Sequence, residues 1–376
     1  MTARISAAAI AATVLLQTAP AAPPTHTLTL SLLGHPIGTE TSTIARDDDR
    51  SILTSHFEYH DRGATIALDT TLAFAKDFTP LSFESHGKSY RYFAVNDSVP
   101  HASGAPNTFT LDGMAPLAAQ GILIQYWLAH GRPASITIEP SGDLVRVSER
   151  PETRRIGGDR HPLRRFVLNG VVWGDETIWL DAGDLHVAAA ATSSGVMPFE
   201  AGDEHVAHPL DVSRTAIGDE LKTAEAAMHR IAPIQSSTFA MTGVRIVDAT
   251  GAPPIEHGTL IVRNGRIERL GAAASTPVPR GVPVVNEAGK TVLPGLWDTH
   301  AHVGQVEWGP VYLAAGVTSA RDMGGEFAIV TALRDAWNGG RALGPHLVLA
   351  GLVDGTGPGA FGAVTAGTPE EARAAV

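Results

Sequence analysis

Apolar and polar positions alternate along much of the first half of the chain. Over residues 64–75 the apolar side chains recur at every second position, which is typical of a half-buried β-strand. Turn-forming residues such as Ser141-Gly142-Asp143 separate these runs, as in an antiparallel sheet. The pattern predicts an antiparallel β-rich domain over residues 22–211, built as a twisted or half-closed sheet. The other strand-like runs are 88–95, 121–128, 165–173 and 176–180.

The period changes to that of a helix in residues 212–236. Apolar residues there are spaced by four and three positions, so residues 219–231 are predicted to form an amphipathic helix that ends before Pro233. We expect this segment to act as a connector. The residues that carry the spacing are Ile217, Leu221, Ala224, Met228 and Ile231.

Strand-like patterns return over residues 237–292. Runs at 239–247, 259–263 and 282–285 favour strands, and Asn264-Gly265 has the residue types of a two-residue hairpin turn. A second, small β-unit is therefore predicted here.

Composition narrows the class of protein. The chain has 376 residues, of which 44% are hydrophobic and 18% charged, which excludes a disordered chain and a polytopic membrane protein. The net charge is -11 and basic residues are not clustered, so we expect no nucleic-acid partner. The absence of cysteine excludes disulfides, cysteine nucleophiles and thiolate metal ligands.

The N-terminus has the three parts of a secretory signal. Arg4 precedes an apolar run over residues 5–16, and small residues then lead to Ala19-Pro20-Ala21. We expect a signal peptide at residues 1–21, cleavage after Ala21, and a periplasmic or extracellular protein with no stable membrane span. A retained membrane anchor is the alternative.

A pair of histidines is the strongest candidate for chemistry. In a strand, residues two apart share a face, so Asp298, His300 and His302 are predicted to project together. Two neighbouring imidazoles form half of a divalent metal site. A His-x-His pair alone is weak support, because a solvated or hydrogen-bonded pair has the same pattern.

The surrounding residues strengthen the metal hypothesis. Residues 292–302, ending in Trp297-Asp298-Thr299-His300-Ala301-His302, resemble the first barrel strand of the amidohydrolase superfamily of metal-dependent hydrolases. The segment is most similar to the branch with imidazolonepropionase-like and Xaa-Pro dipeptidase-like enzymes. The resemblance extends over residues 242–248, 258–271 and 316–325.

This resemblance implies a composite β-sandwich at residues 237–292 and a (β/α)₈ barrel from residue 293. His300 and His302 match the metal ligands of the family, for one or two divalent ions, with zinc as the family expectation. Asp298 matches an acidic residue that supports the ligand pair without binding the metal. Arg321 and Asp322 match a motif beside the active site, although a structural ion pair between them is an equal alternative.

The implied activity is hydrolysis of a small-molecule substrate by metal-activated water. The expected bonds are non-peptide carbon–nitrogen bonds, cyclic amides or dipeptides. Whether the protein forms a homo-oligomer is left open. The alternative function is a secreted β-sheet module, residues 26–211, that binds an apolar ligand or a surface partner.

The region that resembles the barrel is shorter than the family requires. A (β/α)₈ barrel needs about 250 residues, whereas residues 293–376 accommodate only its first three strands. The fold class is therefore multidomain β plus α/β with an incomplete TIM barrel. We expect the chain to be the N-terminal part of a longer protein that is inactive alone, with its general base beyond Val376. The expected strands are 295–302, 318–322 and 346–351, and the expected helices are 307–315 and 326–338.

A rival histidine group lies in the N-terminal domain. His56, Glu58 and His60 share one face of a predicted strand, which would allow a metal site. An amphipathic strand with a solvated polar face gives the same pattern, and we favour it.

Overall fold

The computed structural model describes twelve ranges of the chain, and residues 1–22 lie before the first of them. The predicted signal peptide at 1–21 therefore lies outside the described residues. Within these ranges, none of the helices has the length and apolar character needed to span a bilayer. The described ranges are 23–61, 63–88, 94–111, 116–152, 162–172, 174–183, 185–192, 199–206, 208–231, 236–357, 360–361 and 364–376.

A large sheet dominates the N-terminal part. In the described residues it has thirteen strands in the order β6-β5-β4-β3-β2-β1-β13-β12-β11-β10-β9-β8-β7. The edge strand β7 contacts β5, so the sheet is nearly closed, in agreement with the predicted half-closed sheet. The strands are β1 (Thr25–Leu32), β2 (His35–Arg46), β3 (Arg50–Asp61), β4 (Ala64–Ala75), β5 (Pro80–Lys88), β6 (Ala94–Val99), β7 (Thr108–Thr110), β8 (Ile136–Glu139), β9 (Leu144–Arg150), β10 (Leu163–Asn169), β11 (Asp175–Asp181), β12 (Val187–Thr192) and β13 (Phe199–Gly202).

Helix α1 (Leu117–Ala129) packs within the curve of this sheet, and the strand predicted at residues 121–128 is wrong. Ten of its residues are buried, so it lacks the polar stripe that would have shown a helical period. Glu40 holds its N-terminus by accepting hydrogen bonds from the backbone N–H groups of Leu117 at 2.8 Å and Ala118 at 2.9 Å.

Two buried carboxyl groups lie beside α1. Glu176 on β11 is fully buried, and this burial raises its pKa to about 8; Gln120 lowers the pKa and Glu40 raises it. Burial likewise raises the pKa of Glu40. Because desolvation disfavours the charged form, Glu176 holds a proton at neutral pH that it would lose in the unfolded chain.

Because the pKa of Glu176 is raised in the folded protein, this residue contributes to the free energy of unfolding while it is protonated. The contribution is complete below pH 4.5, the pKa of the group in the unfolded chain, and is lost as pH rises toward 8. Glu176→Gln should remove this loss. The variant should become more stable than the parent by about 2 kcal/mol or more as pH goes from about 5 to about 8. Urea unfolding across this range measures the difference.

Glu84→Gln is the matched control, since Glu84 lies in the same sheet with a side chain that is 59% exposed. The free energy of unfolding of this variant should equal that of the parent at every pH. A stability difference between Glu176→Gln and the parent that does not change with pH would contradict the buried-acid account.

Helix α2 (Pro209–Ile231) begins at Pro209 rather than at residue 219, so the predicted boundary between residues 211 and 212 falls inside its first turn. The early turns are helical because Val212 and Ala216 are buried against Trp179 and its neighbours on β12. The helix is therefore packed on the large sheet rather than only connecting two parts of the chain.

Residues 236–292 form a single five-stranded mixed sheet. Its order is β16-β15-β14-β17, and β18 also pairs with β14. Asn264 and Gly265 have φ of 51° and 72°, which confirms the predicted hairpin turn. These residues contribute one sheet, and the composite β-sandwich expected here stays a prediction. The strands are β14 (Phe239–Ile246), β15 (Ile255–Arg263), β16 (Arg266–Ala272), β17 (Val284–Asn286) and β18 (Thr291–Val292).

Strands and helices alternate in the C-terminal part, and its three strands are parallel in the order β19-β20-β21. The strands and the first two helices confirm the elements expected between residues 295 and 351 to within a few residues. A complete barrel stays a prediction. The elements are β19 (Leu296–Ala301), α3 (Trp308–Ala314), β20 (Val317–Gly325), α4 (Phe327–Asn338), β21 (His346–Gly351) and α5 (Pro369–Ala375).

Candidate metal centre

Strand β19 contains an extra residue next to the histidine pair. Asp298 pairs with Ala320 and Ala301 pairs with Asp322, so three steps on β19 match two steps on β20. Such a bulge interrupts the strict alternation from which a common face for Asp298, His300 and His302 was predicted. Ala301 is buried, whereas His300 is exposed.

The two imidazoles lie side by side despite the bulge. The ring centroids of His300 and His302 are 5.3 Å apart, with an interplanar angle of 65°. The Nδ1 atom of His302 is buried and has no hydrogen-bond partner among the described residues. A buried ring nitrogen without a partner fits a metal ligand, because buried polar atoms are otherwise paired.

The pair alone would supply only half of a metal site. No group of three or more His, Cys, Asp or Glu side chains among the described residues is arranged to hold a metal ion. The role of His300 and His302 as ligands therefore stays a prediction, and the remaining ligands of a tetrahedral site would come from other groups or water.

The rival histidines in the N-terminal sheet have other partners. Nδ1 of His56 lies 2.7 Å from Oδ1 of Asp69 on the neighbouring strand, and the His56 side chain is 47% exposed. His60 contacts the hydroxyl group of Thr65 at 3.1 Å. These contacts are those of a solvated sheet face.

Asp298 contacts the backbone of the histidine segment. Its Oδ1 accepts a hydrogen bond from the backbone N–H of His300 at 3.1 Å. The contact fixes the main chain beside the first imidazole. That Asp298 supports the ligand pair remains a prediction, and its hydrogen bond to His300 is the contact through which it would act.

Arg321 and Asp322 hold the other side of the same segment. Nε of Arg321 donates to the carbonyl of Thr299 at 3.0 Å. The buried carboxylate of Asp322 accepts from the backbone N–H groups of Val303 at 2.7 Å and Gly324 at 3.0 Å. The ion pair considered as their alternative is not found among the described side chains, since both contact backbone groups.

Burial and nearby groups shift the pKa of Asp322 in opposite directions. Burial raises the pKa of this carboxyl group, whereas the hydrogen bonds from Val303 and Gly324 and the nearby His302 lower it. The carboxylate thus holds the loop that follows His302, with one oxygen on each of two backbone segments. This positioning role was missed, because a sequence does not show which N–H groups an aspartate will meet.

A further contact ties this region to α2. Glu326 accepts a hydrogen bond from the backbone N–H of Ile329 at 2.8 Å, which caps α4, and its other oxygen accepts from Nη2 of Arg214 at 2.7 Å. An acidic residue just before an apolar periodic run is the sequence signal for such a cap. The partner Arg214 has no comparable signal.

Asp322→Asn should release the loop after His302. The amide NH₂ group would face one of two backbone N–H donors, which costs about 1–3 kcal/mol of stability for a buried acceptor. Hydrogen exchange should show faster exchange at the amide of Val303, together with a lower urea midpoint. Asp335→Asn is the control, because the Asp335 side chain is exposed. Unchanged exchange at Val303 would contradict the role given to Asp322.

Comparison with known proteins gives short local similarities. No protein-family model matches the chain. Over 71 residues, or 19% of this chain, it is 41% identical to an N-acyl-D-aspartate deacylase from Alcaligenes xylosoxydans xylosoxydans, of which this covers 13%. Over 57 residues, or 15% of this chain, it is 46% identical to an imidazolonepropionase from Cupriavidus taiwanensis, of which this covers 14%.

The chain thus spans a small part of the length of either curated relative. Among solved structures, a bottromycin amidohydrolase has 28% identity and a TM-score of 0.32, over 43% of this chain and 35% of that chain. The names of the two curated relatives agree with the family that residues 292–302 resemble. Over these short stretches the chain is similar to hydrolases of the amidohydrolase superfamily.

Proposed function

We propose that the whole protein is an exported, metal-dependent hydrolase that cleaves a carbon–nitrogen bond in a small molecule. The observation that carries this proposal is the pair of imidazoles at His300 and His302, of which one has a buried nitrogen without a hydrogen bond. A deacylase of an N-acyl amino acid among the relatives supports a carbon–nitrogen bond as the target. Cyclic amides and dipeptides are further candidate substrates.

The place of the pair in the parallel sheet supports the same function. Strand β19 ends at Ala301, so His302 lies just beyond its carboxyl end. In (β/α)₈ enzymes the active site lies at the carboxyl ends of the strands, where loops from several strands meet. The arrangement leaves the imidazoles at the end of the sheet at which such loops would approach them.

His300 and His302 would hold the divalent metal through neutral ring nitrogens. When bound, the metal supplies Lewis acidity that polarises a carbonyl group and makes water a nucleophile near neutral pH. The chain's own residues orient the ligands: Asp298 holds the backbone N–H of His300, and Asp322 holds the backbone N–H of Val303. Arg321 fixes the carbonyl group of Thr299 between them.

Replacing the two histidines tests this function. In the whole protein, His300→Ala and His302→Ala should each lower kcat/KM by about a thousandfold on the substrate that a panel of N-acyl amino acids, cyclic amides and dipeptides identifies. A chelator should abolish hydrolysis by the parent protein, and added zinc should restore it. Loss of the metal ligands is the physical reason for both results.

His346→Ala is the matched control. His346 is an exposed residue at the start of β21, the opposite end of the sheet from the candidate centre, and its removal should leave hydrolysis unchanged. Full activity of the His300→Ala, His302→Ala double variant, or hydrolysis that resists chelators, would refute the proposed function.

A further inference from the structure

A separate cleft of about 500 Å³ lies where the large sheet, α2 and the loop before α3 meet. Its walls are formed by β9, β10 and β11 on one side, by α2 on the second and by residues 306–310 on the third. It is not lined by any of the five residues assigned to the candidate metal centre. Its size is in the range of small-molecule pockets.

Most of the cleft wall is apolar. Side chains from all three sides contribute to it, which gives an organic molecule a surface to pack against. The apolar lining residues include Val167, Ala216, Ala224, Met228, Val306 and Leu343.

Part of the charge in the wall is already neutralised. Arg165 on β10 forms an ion pair with Asp219 on α2, and Lys222 donates to the same carboxylate at 2.9 Å. Asn169 donates to Asp175 on β11 at 2.9 Å. These contacts hold two of the lining acids in place without a ligand.

Glu220 on α2 differs from these acids. It lines the cleft and is partly buried, but its carboxyl group has no hydrogen-bond or ion-pair partner among the described residues. Its neighbours in the cleft include the acidic residues Glu307 and Asp175. Arg150 at the strand side is the one lining cation without an ion pair in the described residues, so acids outnumber free cations.

The acids oppose one another in this partly dry space. Burial raises the pKa of Glu220, and the negative charges of Glu307, Asp175 and Asp219 raise it further. Burial and Asp175 likewise raise the pKa of Glu307. A positive group placed among them would relieve this repulsion and pair with the free carboxyl group.

We propose that this cleft binds a small organic cation, an ammonium group attached to an apolar body, with Glu220 as its principal anionic partner. The apolar wall accommodates the body, and Glu307 and Asp175 add attraction from the facing sides. A bare metal ion fits less well, since no group of three potential ligands among the described residues is arranged to hold one.

Calorimetric titration of the full chain with 4-phenylbutylammonium tests the proposal. The amine should bind with one-to-one stoichiometry, and the neutral 4-phenylbutanol should bind at least about tenfold more weakly. Glu220→Gln should weaken amine binding by about tenfold or more, because it removes a charge-assisted contact. This variant should fold at least as stably as the parent, since it relieves repulsion between acids.

Glu204→Gln makes the same change of charge at a side chain that is 89% exposed and outside the cleft, so it should bind the amine like the parent. Equal binding of the amine and the alcohol would show a merely apolar cleft and overturn the proposal. Amine binding that survives Glu220→Gln unchanged, or no binding at millimolar amine, would overturn it as well.

Discussion

Helix α2 joins the two halves of the described structure because it buries two different stripes of apolar side chains. Val212 and Ala216 pack against the large sheet, and Ile217 and Leu221 pack into the cluster formed with α4 and the parallel strands. Burying a side chain of the size of Leu or Ile contributes about 1.5–3 kcal/mol. The ion pair between Arg214 and Glu326 orients α2 relative to α4 but adds little stability, because Arg214 is partly exposed.

The candidate metal centre depends on how the main chain around the histidines is held. Asp298 and Arg321 contact backbone groups of residues 299 and 300, and the buried Asp322 holds residue 303. Each contact is a hydrogen bond to the main chain, so the bulge in β19 and the loop after His302 are fixed from both strands. Ligands held in this way lose little freedom when a metal binds, which is the physical basis of preorganisation.

The sequence predicted the elements whose patterns are local. Strand β21 was expected at the bounds that it has, and the hairpin at Asn264-Gly265 follows from the two residue types that tolerate positive φ. Helix α1 was mistaken for a strand, since a segment buried on all sides has no polar stripe to show its period. The first turns of α2 were missed because their apolar residues face the large sheet. The apolar residues that carry the predicted helical spacing lie on a different stripe of the helix.

The sequence identified the residues of the candidate site but did not predict the local geometry around them. His300 and His302 stand out by their spacing and by resemblance to a known family. The bulge beside them follows from the pairing of β19 with β20, and the hydrogen bonds of Asp322 follow from the path of the loop after His302. Both depend on contacts between distant parts of the chain, which no local pattern encodes.

In the proposed function His300 and His302 bind one metal ion together. The most direct measurement is anomalous diffraction at the zinc absorption edge from crystals of the whole protein grown with zinc. We expect an anomalous peak beside a ring nitrogen of both histidines, at about 2.0–2.1 Å from each. A zinc ion held by other residues alone, or no peak beside these two imidazoles, would contradict it.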